Sequence, residues 1–216
     1  MHLATHTVNI CSTFPRDPLA AKLPVYVAAV NNMVDPKSNI RYKINAADEI
    51  VEVGGGWDMF AIENDSPPEL SSGSIIYRRF WDFVSGNTIE HVYRRMFSKV
   101  RAGETLDFSF RCDSPSLRRF LVLQMKPLGD GGIEIVTETV CTEEREFQEL
   151  FSINAPKAGE VVVACSWCNK IKTGENVWQE AEDAVSELGL FEKDILPPLS
   201  HGMCDDCYKA VMGTME

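Results

Sequence analysis

Cys165 and Cys168 are separated by Ser166 and Trp167, and Cys204 and Cys207 by Asp205 and Asp206. A C-x-x-C pair folds the chain back on itself, so that two thiolates can reach one cation. Two such pairs supply the tetrahedral set of soft ligands that zinc prefers. Four thiolates also close the coordination sphere, whereas a catalytic zinc keeps one position open for water. The expectation is a structural zinc ion on Cys165, Cys168, Cys204 and Cys207, with no chemistry of its own. The same four thiolates suit an iron–sulfur cluster, or they are redox or simply buried thiols that happen to be paired. A thioredoxin-type centre would need one C-x-x-C in a βαβ setting, not two facing pairs. His201, three residues before Cys204, reads as a turn residue or an outer hydrogen-bond donor rather than a replacement ligand. Structural zinc contributes roughly 10–16 kcal/mol of apparent binding energy in zinc-finger peptides, which is enough to hold a small module together.

The elements that must position these cysteines are legible on either side. Val161 to Ala164 is an apolar strand running into Cys165, Glu180 to Leu190 has helical character, Leu196 to Leu199 reads as a loop, and Cys204 to Met212 reads as a helix. A strand leading to one knuckle, with the second pair in the first turn of a helix, is a treble-clef-like arrangement. The helix N-terminus also favours thiolate charge. Upstream, Ile40 to Ile44 alternates apolar and polar residues as a half-buried strand does, and Ile50 to Val53 is a second strand stopped by Gly54-Gly55-Gly56. Those glycines form a turn; they lack the lysine and the spacing of a phosphate loop. Glu63 to Ser74 reads as a polar loop. Thr88 to Val100 sets Ile89, Val92, Tyr93, Met96, Phe97 and Val100 on one helical face, with Gly103 as a stop. Strands follow over Leu106–Arg111, Arg119–Lys126 and Ile133–Val140, and Glu143–Phe151 reads as a linking helix.

The fold class expected is therefore α+β: a five-stranded antiparallel sheet with helices on one face, plus a small zinc module. Residues 1–39 form an N-terminal extension or cap, 40–147 the sheet domain, 148–160 a linker and 161–216 the zinc-binding module. The chain of 216 residues has a net charge of −11, which opposes binding to a phosphate backbone. Arg78-Arg79, Arg94-Arg95 and Arg118-Arg119 are scattered and read as solvated faces. No apolar run approaches the ~20 residues that span a bilayer, and the first residues lack the basic start and apolar core of a secretory signal. No nucleic acid and no membrane are expected, and the location expected is cytoplasmic. Seven cysteines cannot all pair as disulfides, and in a reducing compartment two C-x-x-C pairs point to metal or redox chemistry.

Residues 40–147 resemble a PAS domain, the small sensor fold of bacterial signalling. The resemblance rests on the order of strands and helix and on Ile75 to Val84, a segment of the hydrophobic–aromatic–Asp–aromatic kind. Phe110 to Pro115, Arg118-Arg119 and Val122 to Leu128 are similar to a subgroup of bacterial PAS-like proteins. Those proteins also end in a segment like Cys165 to Cys168, Trp178 and Leu199 to Cys207. Two features depart from the pattern: the Asp-Gly turn common after the first strand is Asp48-Glu49 here, and no kinase, response-regulator or methyl-accepting segment follows. The resemblance implies a sensory role passed on through a signalling partner, with self-association as a homodimer.

PAS-like sheets often enclose a pocket between sheet and helices, apolar with a few polar anchors. Trp57, Phe60, Trp81, Phe83, Tyr93 and Phe97 are candidate lining residues, although aromatics at such spacing usually pack as core. Haem-binding PAS domains carry an axial histidine in the helix that holds His91 here, but Glu90 and Arg94-Arg95 beside it suggest a polar face, so haem is not expected. The reactive-cysteine motif of flavin photoreceptors is absent around residues 64–90. No Ser-His-Asp order, metal triad or carboxylate pair stands out, and Asp107, Asp113 and Glu134 read as single exposed acids on or beside strands. The function expected is a non-enzymatic sensory or adaptor protein. The alternatives are a thiol redox switch acting through the zinc cysteines, or a small-molecule or haem-binding sensor or an enzyme using the cavity.

Overall fold

The computed structural model describes residues 39–190 and 195–216; the extension or cap expected over residues 1–39 lies, but for Asn39, outside them. β1 (Ile40–Ile44) and β2 (Ile50–Gly55) form an antiparallel hairpin. The turn between them is closed by the amides of Ala47 and Glu49, both donating to the Asn45 side chain. Asp48 takes a left-handed φ of 62°, which an aspartate tolerates better than a branched residue. Gly55 has no substitute: its φ is +69°, and a Cβ there would lie 1.8 Å from the Asn39 carbonyl oxygen.

Between β2 and the rest of the sheet lies a helical stretch. It contains α1 (Trp57–Glu63), α2 (Ser72–Ile75), short 3-10 turns at Pro68–Leu70 and Phe80–Phe83, and α3 (Asn87–Arg101). The segment Glu63 to Ser74, expected as a loop, is thus partly helical. α3 follows the sequence pattern closely. Ile89, Val92, Met96, Phe97 and Val100 recur at three- and four-residue intervals and are its buried residues. Each large side chain buried in this way stabilises the fold by about 1.5–3 kcal/mol. Lys99 and Arg101 in the last turn complement the helix dipole, and Gly103, at φ +103°, ends it.

The long strands β3 (Leu106–Arg111), β4 (Leu117–Pro127) and β5 (Ile133–Glu144) complete an antiparallel sheet in the order β2-β1-β5-β4-β3. Its helix-facing residues, among them Ile44, Met125, Ile133 and Ile135, are shut off from solvent and pack against α3. β5 runs farther than its apolar alternation suggests. The helix expected over Glu143–Phe151 does not form, because the ladder with β4 continues to the pair Leu117↔Glu144. The amides of Arg145 and Gln148 then donate to the carbonyls of Ser116 and Pro115. Only Glu149–Phe151 turns, as a single 3-10 segment.

The tail forms a second, smaller sheet. β6 (Val162–Cys165), β7 (Ile171–Gly174), β8 (Val177–Gln179) and β9 (Leu199–Gly202) lie in the order β8-β7-β6-β9, with β6 and β9 parallel. α4 spans Ala181–Glu187, shorter than the helix expected over 180–190, and α5 spans Asp205–Thr214. Leu199, expected in a loop, opens β9. A small core of Ala164, Ile171, Ala184, Val185 and neighbours fills this unit. The four cysteines, Trp167, Val211 and Met215 instead join the buried cluster of the five-stranded sheet. No described helix is long and apolar enough to cross a membrane.

Candidate metal centre

Parallel pairing of β6 with β9 assembles the centre. The register Val162↔Leu199 to Cys165↔Gly202 lays the first cysteine beside the chain that carries the second pair. Gly202 permits this approach, since a Cβ there would sit 3.0 Å from a Val163 methyl. The Ser166 amide donates to the Gly202 carbonyl at 2.8 Å and ties the knuckle to β9. The knuckle closes on itself: the Asn169 amide donates to the Cys165 carbonyl at 2.9 Å, and the Cys165 amide to that of Lys170 at 2.8 Å. Asn169 occupies the left-handed region at φ 58°, where asparagine is one of few non-glycine residues at ease.

Cys204 caps α5, and Cys207 lies in its first turn. The Cys207 amide donates to the Cys204 sulfur at 3.5 Å, and the Cys204 amide to the Cys165 sulfur at 3.4 Å. These amide donors, with the positive end of the helix dipole, stabilise negative sulfur. The Cys165 thiol is held far below its ordinary value, chiefly by a hydrogen bond from Cys168 and then by those of Cys204 and Cys207.

The four sulfurs lie within 4.8 Å of one another, and all four residues are buried. Cys165 and Cys168 approach Cys204 at 3.7 and 3.9 Å. A disulfide would require about 2.05 Å. Four thiolates around one ion at Zn–S bonds of about 2.3 Å stand ~3.8 Å apart along each tetrahedral edge. The donor set and its spacing thus fit a metal ion. His201 is not among these donors; it sits exposed on β9 opposite Ala164.

No protein-family model matches this chain, and neither does any curated protein. Among solved structures, a sensory box sensor histidine kinase from Vibrio cholerae is similar at 10% identity and a TM-score of 0.33, covering 57% of this chain and 94% of that one. At that score the fold rests on the sheet order and register themselves.

The candidate pocket residues are distributed differently. Trp81, Tyr93 and Phe97 pack around Phe80, with ring centroids 5.2, 5.1 and 5.0 Å from it. Trp57 meets Tyr42 edge-on at 5.8 Å, and Tyr42 stacks on Phe80. The polar edges are satisfied within the fold. Trp57 donates to the Leu70 carbonyl, and Trp81 to the Asp48 carboxylate. Arg94 lies 4.0 Å above Trp81, and Arg78 4.4 Å above Phe83. Burial pushes the Tyr93 phenol up to about 12. Phe60 instead lines a cleft of about 370 Å³ with Cys112, Phe147 and Ile153. His91 is exposed on α3, 6.5 Å from the Tyr208 ring, in a depression it shares with Met203 and Asp205.

Sequence reasoning missed two features that join the tail to the sheet. Trp167, between the first two cysteines, is only 4% exposed and packs against Phe108 at 5.7 Å and Phe110 at 6.0 Å. A large apolar residue inside a knuckle was the signal, because a free-standing knuckle would leave it in water. The second feature is a charge network. Arg111 holds Asp113 and, at 2.9 and 3.0 Å, both oxygens of Glu180 just ahead of α4. Arg145 reaches Asp113 at 2.9 Å and Glu182 at 2.8 Å, and Arg118 reaches Glu182 at 2.8 Å. Three guanidinium groups thus face three carboxylates. The Asp113 side chain, expected at the surface, is 0% exposed. Burial pushes its carboxyl up against the opposing pull of Arg111 and Arg145.

Proposed function

We propose that this chain is a non-enzymatic sensory or adaptor protein, in which a PAS-like domain and a treble-clef-like structural zinc module act together through protein–protein contacts, self-association included. The observation that carries the zinc reading is the set of four buried sulfurs within 4.8 Å of one another. The treble-clef-like reading is supported by a knuckle at Cys165–Cys168, the β7–β8 hairpin that follows and a second cysteine pair at the start of α5. A closed thiolate set leaves no coordination position for a substrate or water, which supports a structural rather than catalytic ion. The sensory reading is supported by the antiparallel sheet with its helical stretch between the second and third strands, the arrangement that the resemblance of residues 40–147 implies.

Solution mass measurement, combined with pull-down of signalling proteins from cells of the source organism, tests the adaptor role. A dimer, or a specific partner retained by the wild-type chain, is the expected result. A strictly monomeric chain that retains neither partner nor small molecule contradicts it.

A further inference from the structure

We propose that the four-cysteine centre is a metal-dependent latch on the edge of the five-stranded sheet, so that metal occupancy decides whether the C-terminal end of β3 is held or released. The inference rests on the metal reading above and deepens it by naming what the ion regulates.

Among the described residues β3 is one edge of the sheet, paired with β4 alone. An edge strand presents backbone groups that require a partner or water. At Arg111 the partner is the metal knuckle. The Arg111 amide donates to the Trp167 carbonyl at 2.8 Å, and the Arg111 carbonyl accepts from the Asn169 side chain at 2.8 Å. Both contacts come from the five-residue stretch 165–169, which Cys165 and Cys168 anchor to the centre. Trp167, in the middle of that stretch, covers Phe108 and Phe110 from the edge. The Arg111 side chain leaves on the other side to meet Glu180, which precedes α4. The tail therefore grips one residue of the sheet by its amide, its carbonyl and its guanidinium.

The knuckle has few other supports. β6 is four residues long and pairs with β7 at Ala164↔Ile171 alone. Its parallel partner β9 leads directly into Cys204. Without the cation nothing bonds the two cysteine pairs to one another, and the loop loses its anchor. Trp167 and Asn169 then leave β3 together. The knuckle shares the buried cluster of the sheet, but β1, β4 and β5 keep their own ladders, none of which involves residues 165–169. Release would thus be local, in the manner of a sub-global opening.

Coupling of this kind is reciprocal: if the ion stabilises docking, docking stabilises the ion by the same factor. That gives two independent readouts on the full-length chain. The first is hydrogen exchange of the zinc-loaded protein, before and after removal of zinc with a strong chelator. The Arg111 amide is expected to exchange at least about tenfold faster without zinc, while the amides of β1 and β5 keep their rates. The second is zinc affinity, by competition with a chelating dye, for two variants that remove no ligand. Trp167→Ala and the milder Asn169→Ala are both expected to weaken zinc binding, Trp167→Ala by about tenfold and Asn169→Ala by less. A protein that binds no zinc overturns the metal reading itself. A protein that binds and releases zinc with no change at Arg111 overturns only the latch, as does one in which β1 and β5 open together with Arg111. Zinc affinity untouched by Asn169→Ala in a folded variant also overturns it.

Discussion

The two sheets of this chain are held together by different physics. The five-stranded sheet has strands of five to twelve residues and a continuous apolar face against α3. Hydrophobic area carries it, and its stability is spread over many side chains. The tail sheet has strands of three and four residues and a small core of three alanines with Leu150, Ile171, Val185, Leu190 and Leu196. Such a unit has little apolar surface of its own; β6 and β9 lead into the four sulfurs, and Trp167, Val211 and Met215 are buried with the larger sheet. The contrast teaches where each region is vulnerable: the first to changes of volume, the second to the loss of one ligand.

The largest effect should follow Cys207→Ser. Removal of one thiolate from a closed set should abolish stoichiometric zinc and strip hydrogen-exchange protection from β6, β9 and α5. Protection that survives there would end the contrast drawn above. Asp113→Asn keeps the shape but leaves Arg111 and Arg145 buried with less opposing charge. A loss of about 3–5 kcal/mol is expected by denaturant unfolding, as for a broken buried pair. Met96→Ala opens a cavity under the sheet and should cost about 2–5 kcal/mol while leaving one zinc per chain. Zinc lost from Met96→Ala would show that the two regions do not differ in their supports. His201→Ala is the smallest: a change within about 0.5 kcal/mol, as at surface positions, with zinc retained.

The parts legible in the sequence are those governed by local periodicity or by ligand spacing. The doubled C-x-x-C announced the sulfur cluster, and the pattern from Ile89 to Val100 announced α3, because in both cases neighbouring residues carry the whole signal. Pairing between distant segments was hidden. The run Glu143 to Phe151 looks helical on its own, but its first two residues pair with β4 and the amides of Arg145 and Gln148 donate to Ser116 and Pro115, which outweighs the local preference. β9, Leu-Ser-His-Gly, is short and polar, and only its register with β6 makes it a strand. Asp113 read as a surface acid because the arginines that neutralise it come from positions 111 and 145. The aromatics proposed as a pocket are distributed by tertiary contacts that spacing does not encode: Trp81, Tyr93 and Phe97 gather on Phe80, while His91 faces outward.

The most direct test is elemental analysis of the purified full-length chain together with X-ray absorption at the metal edge. One zinc per chain, with a first shell of four sulfurs at about 2.3 Å, is the predicted result. No stoichiometric metal, an iron–sulfur spectrum, or a shell in which nitrogen or oxygen replaces a sulfur would contradict it.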